Sequence, residues 1–131
     1  MTTTPKLFRV ILEVGDLDDA TTFYASLLGL PGARHPGARH YFQCGGVILA
    51  ILDVTAGGVN PSPGTSGLYF AVDDIAAIHG RAAALDAVAP YQVHGQPAGE
   101  VIERPWGELS CYVVDPWGNH MCFVQEGTLY T

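Results

Sequence analysis

The sequence predicts an α+β domain made of two similar halves. Three observations carry that expectation. Of the 131 residues, 48% are apolar and only 15% charged, a composition that buries a core and excludes a disordered, solvating chain. A strand–helix–hairpin pattern occurs twice along the chain. Between the two copies lies Thr55 to Ser66, T-A-G-G-V-N-P-S-P-G-T-S, which has the composition of a linker.

The first half opens with Leu7 to Val14, rich in β-branched and aromatic residues and read as a strand. Asp16 and Asp18 follow as possible N-caps. Ala20, Phe23, Tyr24, Leu27 and Leu28 then form one apolar helical stripe. Gly29 is placed to end that helix in a left-handed turn, with Pro31 just beyond. Pro31 to Arg39 reads as a loop. His40–Cys44 and Val47–Val54 are apolar runs split by Gly45-Gly46, a hairpin signal.

The second half repeats the order. Gly67–Val72 reads as a strand and Asp73-Asp74 as a helix start. Ile75, Ile78, Ala82 and Leu85 make the stripe, and Leu109–Val114 with Met121–Gln125 are the paired runs. Leu12, Val14, Asp16 and Leu17 fall on Phe70, Val72, Asp74 and Ile75 at an offset of 58, and Gly46 falls on Gly118 at an offset of 72. Asp115-Pro116-Trp117-Gly118-Asn119 splits the second pair. Pro116 presets φ for a tight turn, and Gly118 or Asn119 can take positive φ.

Charge narrows the partners. Six Lys and Arg against 13 Asp and Glu give a net −7. Phosphate binding needs clustered cations, so nucleic acid is excluded as a partner, and an anionic membrane surface with it. The longest apolar run, Val47–Leu52, is far short of the ~20 residues that span a bilayer. The N-terminus has no apolar segment of secretory type. Three cysteines, Cys44, Cys111 and Cys122, are an odd number without a C-x-x-C pair, which points to reduced thiols and a cytoplasmic protein.

Three features together carry a family resemblance: V-G-D-L-D-D-A-T-T-F-Y-A-S-L-L-G-L at 14–30, D-P-W-G-N-H-M-C-F-V at 115–124, and the repeat itself, including R-P-W-G at 104–107. The chain resembles the vicinal oxygen chelate superfamily, which includes glyoxalases, bleomycin-resistance proteins and extradiol dioxygenases. The resemblance implies two βαβββ modules, residues 1–54 and 67–131 joined by the 55–66 linker, forming a curved mixed sheet around a cavity. It also implies a homodimer. It does not imply one activity, because the fold hosts many.

Metal-dependent members of the superfamily place ligands on the first and last strand of each module. Carried over by position, those sites are Arg9 and Ala50 in the first module and Gly67 and Cys122 in the second. Arg offers only donors, and Ala and Gly have no ligating side-chain atom. No metal and no cofactor is therefore expected. Among His35, His40, His79, His94 and His120, only His120 shares the strand parity of Cys122.

Side chains alternate across a strand, so Arg9, Ile11, Glu13, Ile48, Ala50, Leu52, Gly67, Tyr69, Ala71, His120, Cys122 and Val124 are expected to face the cavity. The candidate ligand-binding residues are Arg9, Glu13, Phe42, Ala50, Tyr69, Trp106, Glu108, His120 and Cys122; no catalytic residue is assigned. Arg9 either offers donors to an oxygen-bearing ligand or forms an ion pair with Glu13, Glu103 or Glu108. Trp106, on the Pro97–Glu108 loop, either stacks on a planar ligand or anchors the loop. Cys122 is a small buried hydrophobe or, with His120 nearby, a nucleophile. Leu129 and Tyr130 suggest a tail that docks onto the body or onto a neighbour.

The leading functional expectation is a metal-free binder of an aromatic or cationic small molecule, similar to the bleomycin-resistance branch. The alternatives are a lyase, isomerase or dioxygenase-type enzyme with a non-standard site, and an interaction module whose cavity is filled.

Overall fold

A computed structural model of the chain describes residues 3–64 and 67–131; Thr65 and Ser66, at the end of the expected linker, lie outside them. The first half contains strand β1 (Arg9–Val14), helix α1 (Leu17–Leu28), β2 (Ala33–His35), β3 (Arg39–Cys44) and β4 (Val47–Asp53), followed by a short 3-10 turn at Val54–Gly57. The second contains β5 (Leu68–Val72), α2 (Ile75–Ala84), a small hairpin of β6 (Gln92–Val93) and β7 (Gln96–Pro97), then β8 (Ile102–Glu103), β9 (Leu109–Val114) and β10 (His120–Gln125). Two four-stranded sheets result, ordered β1-β4-β3-β2 and β5-β10-β9-β8. The fold is thus α+β, two βαβββ modules with an extra hairpin in the second.

The internal repeat holds at the level of hydrogen bonds. Ile11 pairs with Ala50 in the parallel β1–β4 ladder, and Tyr69 pairs with Cys122 in the parallel β5–β10 ladder. Those pairs are related by the same offsets of 58 and 72 seen in the sequence. Asp16 caps α1 by accepting from the Asp19 N–H at 3.1 Å, and Asp74 caps α2 through the Ala77 N–H at 3.1 Å. The last strand of each module adds a second cap. Asp53 accepts from the Leu17 N–H at 3.0 Å, and Gln125 from the Ile75 N–H at 3.0 Å. Each satisfies an N–H that a helix start leaves without an internal partner.

Gly29 ends α1 at φ 71°, and its N–H reaches the Ala25 carbonyl, the left-handed stop that glycine allows. Arg81 of α2 donates to the Leu27 carbonyl at 3.0 Å, tying the end of α1 to its counterpart. The stripes of both helices enter one core with Leu12, Val14, Phe42, Ile51, Val113, Met121 and Phe123. The two modules therefore share the apolar layer between helices and sheets.

Several strand boundaries differ by one residue from the sequence expectation, and three differences are larger. The strand expected from Leu7 starts at Arg9, and Leu7 and Phe8 stay exposed. The expected Pro31–Arg39 loop contains β2, whose three residues are all exposed; an edge strand without a buried face has no apolar alternation to reveal it. The Pro97–Glu108 loop likewise contains part of β7 and all of β8. Among the described residues, no helix is long and apolar enough to cross a membrane.

The Asp115–Asn119 turn does more than reverse the chain. Gly118 takes the positive φ, at 87°. The Asp115 carboxylate accepts from the Trp117 N–H, the Asn119 N–H, Asn119 Nδ2 and, at 2.6 Å, the Tyr24 hydroxyl of α1. Buried Asn119 then donates to the Glu13 carbonyl at 3.0 Å and accepts from the Gly64 N–H at 2.7 Å. One turn thus fixes α1, the end of β1 and the inter-module segment relative to one another.

Candidate functional site

Each sheet has a helix-facing side and an open side, and the open sides of the two modules are built differently. In the second module the open side is largely sealed. After α2 the chain runs back along β9, with the Ala89 N–H donating to Tyr112 O and the Val114 N–H to Ala87 O. Ala89 and Ala98 pack with Tyr112, Cys122 and Val124 in a second apolar cluster, flanked by Tyr91 and Val93. Gly99 permits the close approach, since a Cβ there would lie 2.6 Å from the Ala89 carbonyl oxygen.

Arg104 holds this layer in place. Its side chain is the largest of the fully buried ones, at 2% exposure. Nε donates to Ser110 Oγ at 3.0 Å, Nη1 to Pro97 O at 3.3 Å, and Nη2 to the carbonyls of Ala98, Glu100 and Ser110 at 3.1–3.2 Å. The guanidinium also lies 5.4 Å from the centroid of the Tyr112 ring, within cation–π range. Its charge is dispersed over oxygen dipoles and a ring, without a carboxylate partner within 4 Å among the described residues.

Beside this layer the second module has a cavity of about 400 Å³, lined by Tyr69, Ala71, Trp106, Glu108, Val124 and the tail residues Leu129 and Tyr130. Glu108 is its organiser. One carboxylate oxygen accepts from Trp106 Nε1 at 2.7 Å and the other from the Tyr130 N–H at 2.9 Å. A single buried carboxylate thereby holds the Trp106 ring and the backbone of the tail at Tyr130. His94, at the tip of the small hairpin, meets Trp106 edge to face at 4.9 Å.

The structure separates the nine candidate residues. Tyr69, Trp106 and Glu108 meet at the cavity. Cys122 lies in the sealed apolar cluster, 1% exposed; burial pushes its thiol up to about 11, with Ser110 and Tyr112 bonding opposing the rise. A thiol held neutral in this way is a poor nucleophile. His120 is half-buried, its Nδ1 3.0 Å from the Tyr91 hydroxyl. Arg9, Glu13 and Ala50 belong to the first module's open side. Glu13 accepts from the Ser62 N–H at 2.9 Å and forms no ion pair with Arg9; the single ion pair among the described residues is Arg34–Asp18. Phe42 points the other way. It is fully buried in the shared core, against Tyr24 and His40.

On the first module's open side, sequence reasoning missed Arg39 and Tyr41. Tyr41 pairs opposite Ala50 across the β3–β4 hairpin. Its hydroxyl accepts from Arg39 Nη1 at 3.1 Å and lies 3.5 Å from Arg9 Nη1. Arg39, chiefly by that hydrogen bond, holds the Tyr41 phenol below its ordinary value. The signal was present: Cys44 and Val47 pair around Gly45-Gly46, so counting back places Tyr41, and not Phe42, on the side of Ala50. Arg104 was missed for a different reason. An arginine is rarely fully buried, and nothing local marks one that is.

The superfamily's usual metal positions carry Arg9, Ala50, Gly67 and Cys122, a donor set of one guanidinium, one buried neutral thiol and two positions without a ligating side-chain atom. The residues do not fit a divalent cation there. Among the described residues no group of three or more His, Cys, Asp or Glu is placed to hold one elsewhere.

Sheet order, module repeat and turn define a paired-βαβββ protein of the vicinal oxygen chelate type. The chain belongs to the Glyoxalase/Bleomycin resistance protein/Dioxygenase superfamily, whose family pattern matches residues 6–123. Among solved structures it is similar to a lactoylglutathione lyase from Agrobacterium tumefaciens, with 25% identity, 95% of this chain and 96% of that one covered, and a TM-score of 0.64. It also shares its fold with the oxidase ChaP-H2, at 24% identity over 95% of each chain and a TM-score of 0.71. A glyoxalase-related enzyme from Fulvimarina pelagi is similar at 22% identity, over 95% of this chain and 90% of that one, with a TM-score of 0.70. No curated protein matches.

Proposed function

We propose that this chain binds a planar aromatic small molecule, without a metal at the superfamily's usual positions, as a counterpart of the bleomycin-resistance branch. The observation that carries the reading is the pairing of a donor-poor metal quartet with an aromatic cavity. Tyr69, Trp106 and Tyr130 offer ring faces and edges, and Glu108 holds the Trp106 ring through its Nε1, so little freedom of that side chain is lost on binding. The volume of about 400 Å³ falls in the range of small-molecule sites. A net charge of −7 favours a cationic ligand at long range.

The same reading takes the chain as a cytoplasmic homodimer with modules divided at 55–66. Exposed Leu7, Phe8 and Ile11 on and before the free edge of β1 support self-association. Light scattering tests it, and a monomer at micromolar concentration refutes it.

A fluorescence titration with proflavine, a planar aromatic cation, tests the binding site. Tyr69→Ala and Trp106→Ala are expected to weaken binding by about tenfold each, at roughly 1–1.5 kcal/mol for a lost aromatic contact. Binding unaffected by both substitutions defeats the proposal.

A further inference from the structure

The segment after β10 is fastened unevenly. Gly127 takes φ 90° and reverses the chain, a conformation glycine adopts freely. Thr128 secures that turn. Its N–H donates to the Gln125 carbonyl at 3.2 Å, and its hydroxyl donates to the same carbonyl at 2.7 Å and accepts from the Leu109 N–H at 3.1 Å. Beyond Thr128, one hydrogen bond among the described residues holds the backbone, from the Tyr130 N–H to a Glu108 carboxylate oxygen at 2.9 Å. Leu129 is 45% and Tyr130 74% exposed, yet Leu129, Tyr130 and Thr131 all line the aromatic cavity. Residues 129–131 thus form a short strap along the cavity, fixed at Thr128 and latched at Tyr130. The acceptor of the latch is itself held, because the other Glu108 oxygen accepts from Trp106 Nε1 at 2.7 Å.

We propose that residues 129–131 are a gate on this cavity, opened and closed at the Glu108–Tyr130 latch, and that the latched strap retains a planar ligand. The inference rests on the binding reading above and adds what governs ligand exchange. An exposed segment tied by one hydrogen bond opens at a small fraction of the cost of unpairing a strand. The unlatched state is therefore reached without disturbing β9, β10 or the Thr128 anchor. A ring held in the cavity gains apolar cover from Leu129 only while the strap is latched. A ligand that binds the latched form better draws the strap closed, by the difference between its two affinities. Because Trp106 keeps the Glu108 carboxylate in place, the latch finds its acceptor in the same position each time the strap returns.

Stopped-flow dilution of the proflavine complex, compared between Tyr130→Ala and Tyr130→Pro, tests the gate. Both variants lack the phenol ring, and only the proline variant also lacks the backbone N–H. Dissociation is expected to be about tenfold faster from Tyr130→Pro than from Tyr130→Ala, the factor for one lost hydrogen bond to a charged group. Tyr130 is exposed and lies outside the strands, so both variants keep the fold. Hydrogen exchange gives a second readout. In the free parent the Tyr130 amide is expected to exchange faster than the Leu109 amide, and to gain protection when proflavine is bound. Equal dissociation from the two variants, or a Tyr130 amide no better protected at saturation, overturns the gate and leaves the binding site standing. Proflavine that fails to bind the parent overturns the binding reading itself, and the gate with it.

Discussion

Replacing Arg104 with methionine removes the donors that fasten the covering layer to the second sheet while keeping an unbranched apolar side chain. Five hydrogen bonds of 3.0–3.3 Å are lost. Each bond to a charged donor contributes about 1.5–3 kcal/mol in isolation, but the losses do not add. Ala98 O keeps the Tyr112 N–H at 2.8 Å, and removing the buried charge recovers its desolvation penalty. Four of the five acceptors are backbone carbonyls, which no compensating substitution can delete. A net loss of about 3–5 kcal/mol follows, the range for breaking a buried charged network. At roughly 2.1 cal/mol/K per residue, that lowers Tm by about 10–18 °C. Urea unfolding gives the free energy, and hydrogen exchange locates it: the Ala89, Ala98 and Tyr112 amides should lose protection before those of β1 and β4. A variant within about 1 kcal/mol of the parent, with those three amides still protected, refutes the assignment of Arg104 as the fastener.

Three further outcomes are expected. Burial pushes the thiols of Cys111 and Cys122 up to about 12 and about 11, so at pH 8 neither should react with Ellman's reagent in the folded protein, whereas all three cysteines react in urea. The sign of the linkage follows: the folded state binds more protons than the unfolded one between pH 9 and about 11, so these thiols make stability fall as pH rises through that window. Tyr41 acts in the opposite sense. Its phenol lies below the ordinary value, so ultraviolet titration should show Tyr41→Phe losing the earliest-ionising tyrosine, and this group makes stability rise with pH just below 10. Finally, Gly99→Ala drives a Cβ to within 2.6 Å of the Ala89 carbonyl oxygen; a loss of about 1–3 kcal/mol in urea unfolding is expected, and an unchanged midpoint contradicts the close packing.

The repeat was legible because both modules solve the same local problem with the same residue types. An aspartate caps each helix, an apolar stripe follows, and a glycine-containing turn joins the last two strands of each module. Periodicity reports such features directly, so the end of α1 at Gly29 was readable to the residue, and each helix start was narrowed to a pair of aspartates, of which Asp16 and Asp74 are the caps. The shared caps from Asp53 and Gln125 were not read, although the offset of 72 relates them, because a cap contributed from a distant strand leaves no mark near the helix it serves. Strand parity also placed Tyr69 on the open side. It failed to place Tyr41 because the hairpin register was not carried through to β3, and Phe42 was put in its stead.

By itself the sequence determined the α+β class, the two modules and the turn at Asp115–Asn119. These depend on residue type and spacing along the chain. Only the tertiary structure decided that the two open sides differ. In the second module a segment with no amphipathic pattern folds back and is secured by the buried Arg104, leaving an aromatic cavity organised by Glu108. In the first, Arg9 and Arg39, 30 residues apart in the chain, meet at one phenol oxygen. Both outcomes rest on contacts between segments far apart in sequence, where geometry across strands decides which charges are buried, which are paired and which face a ligand.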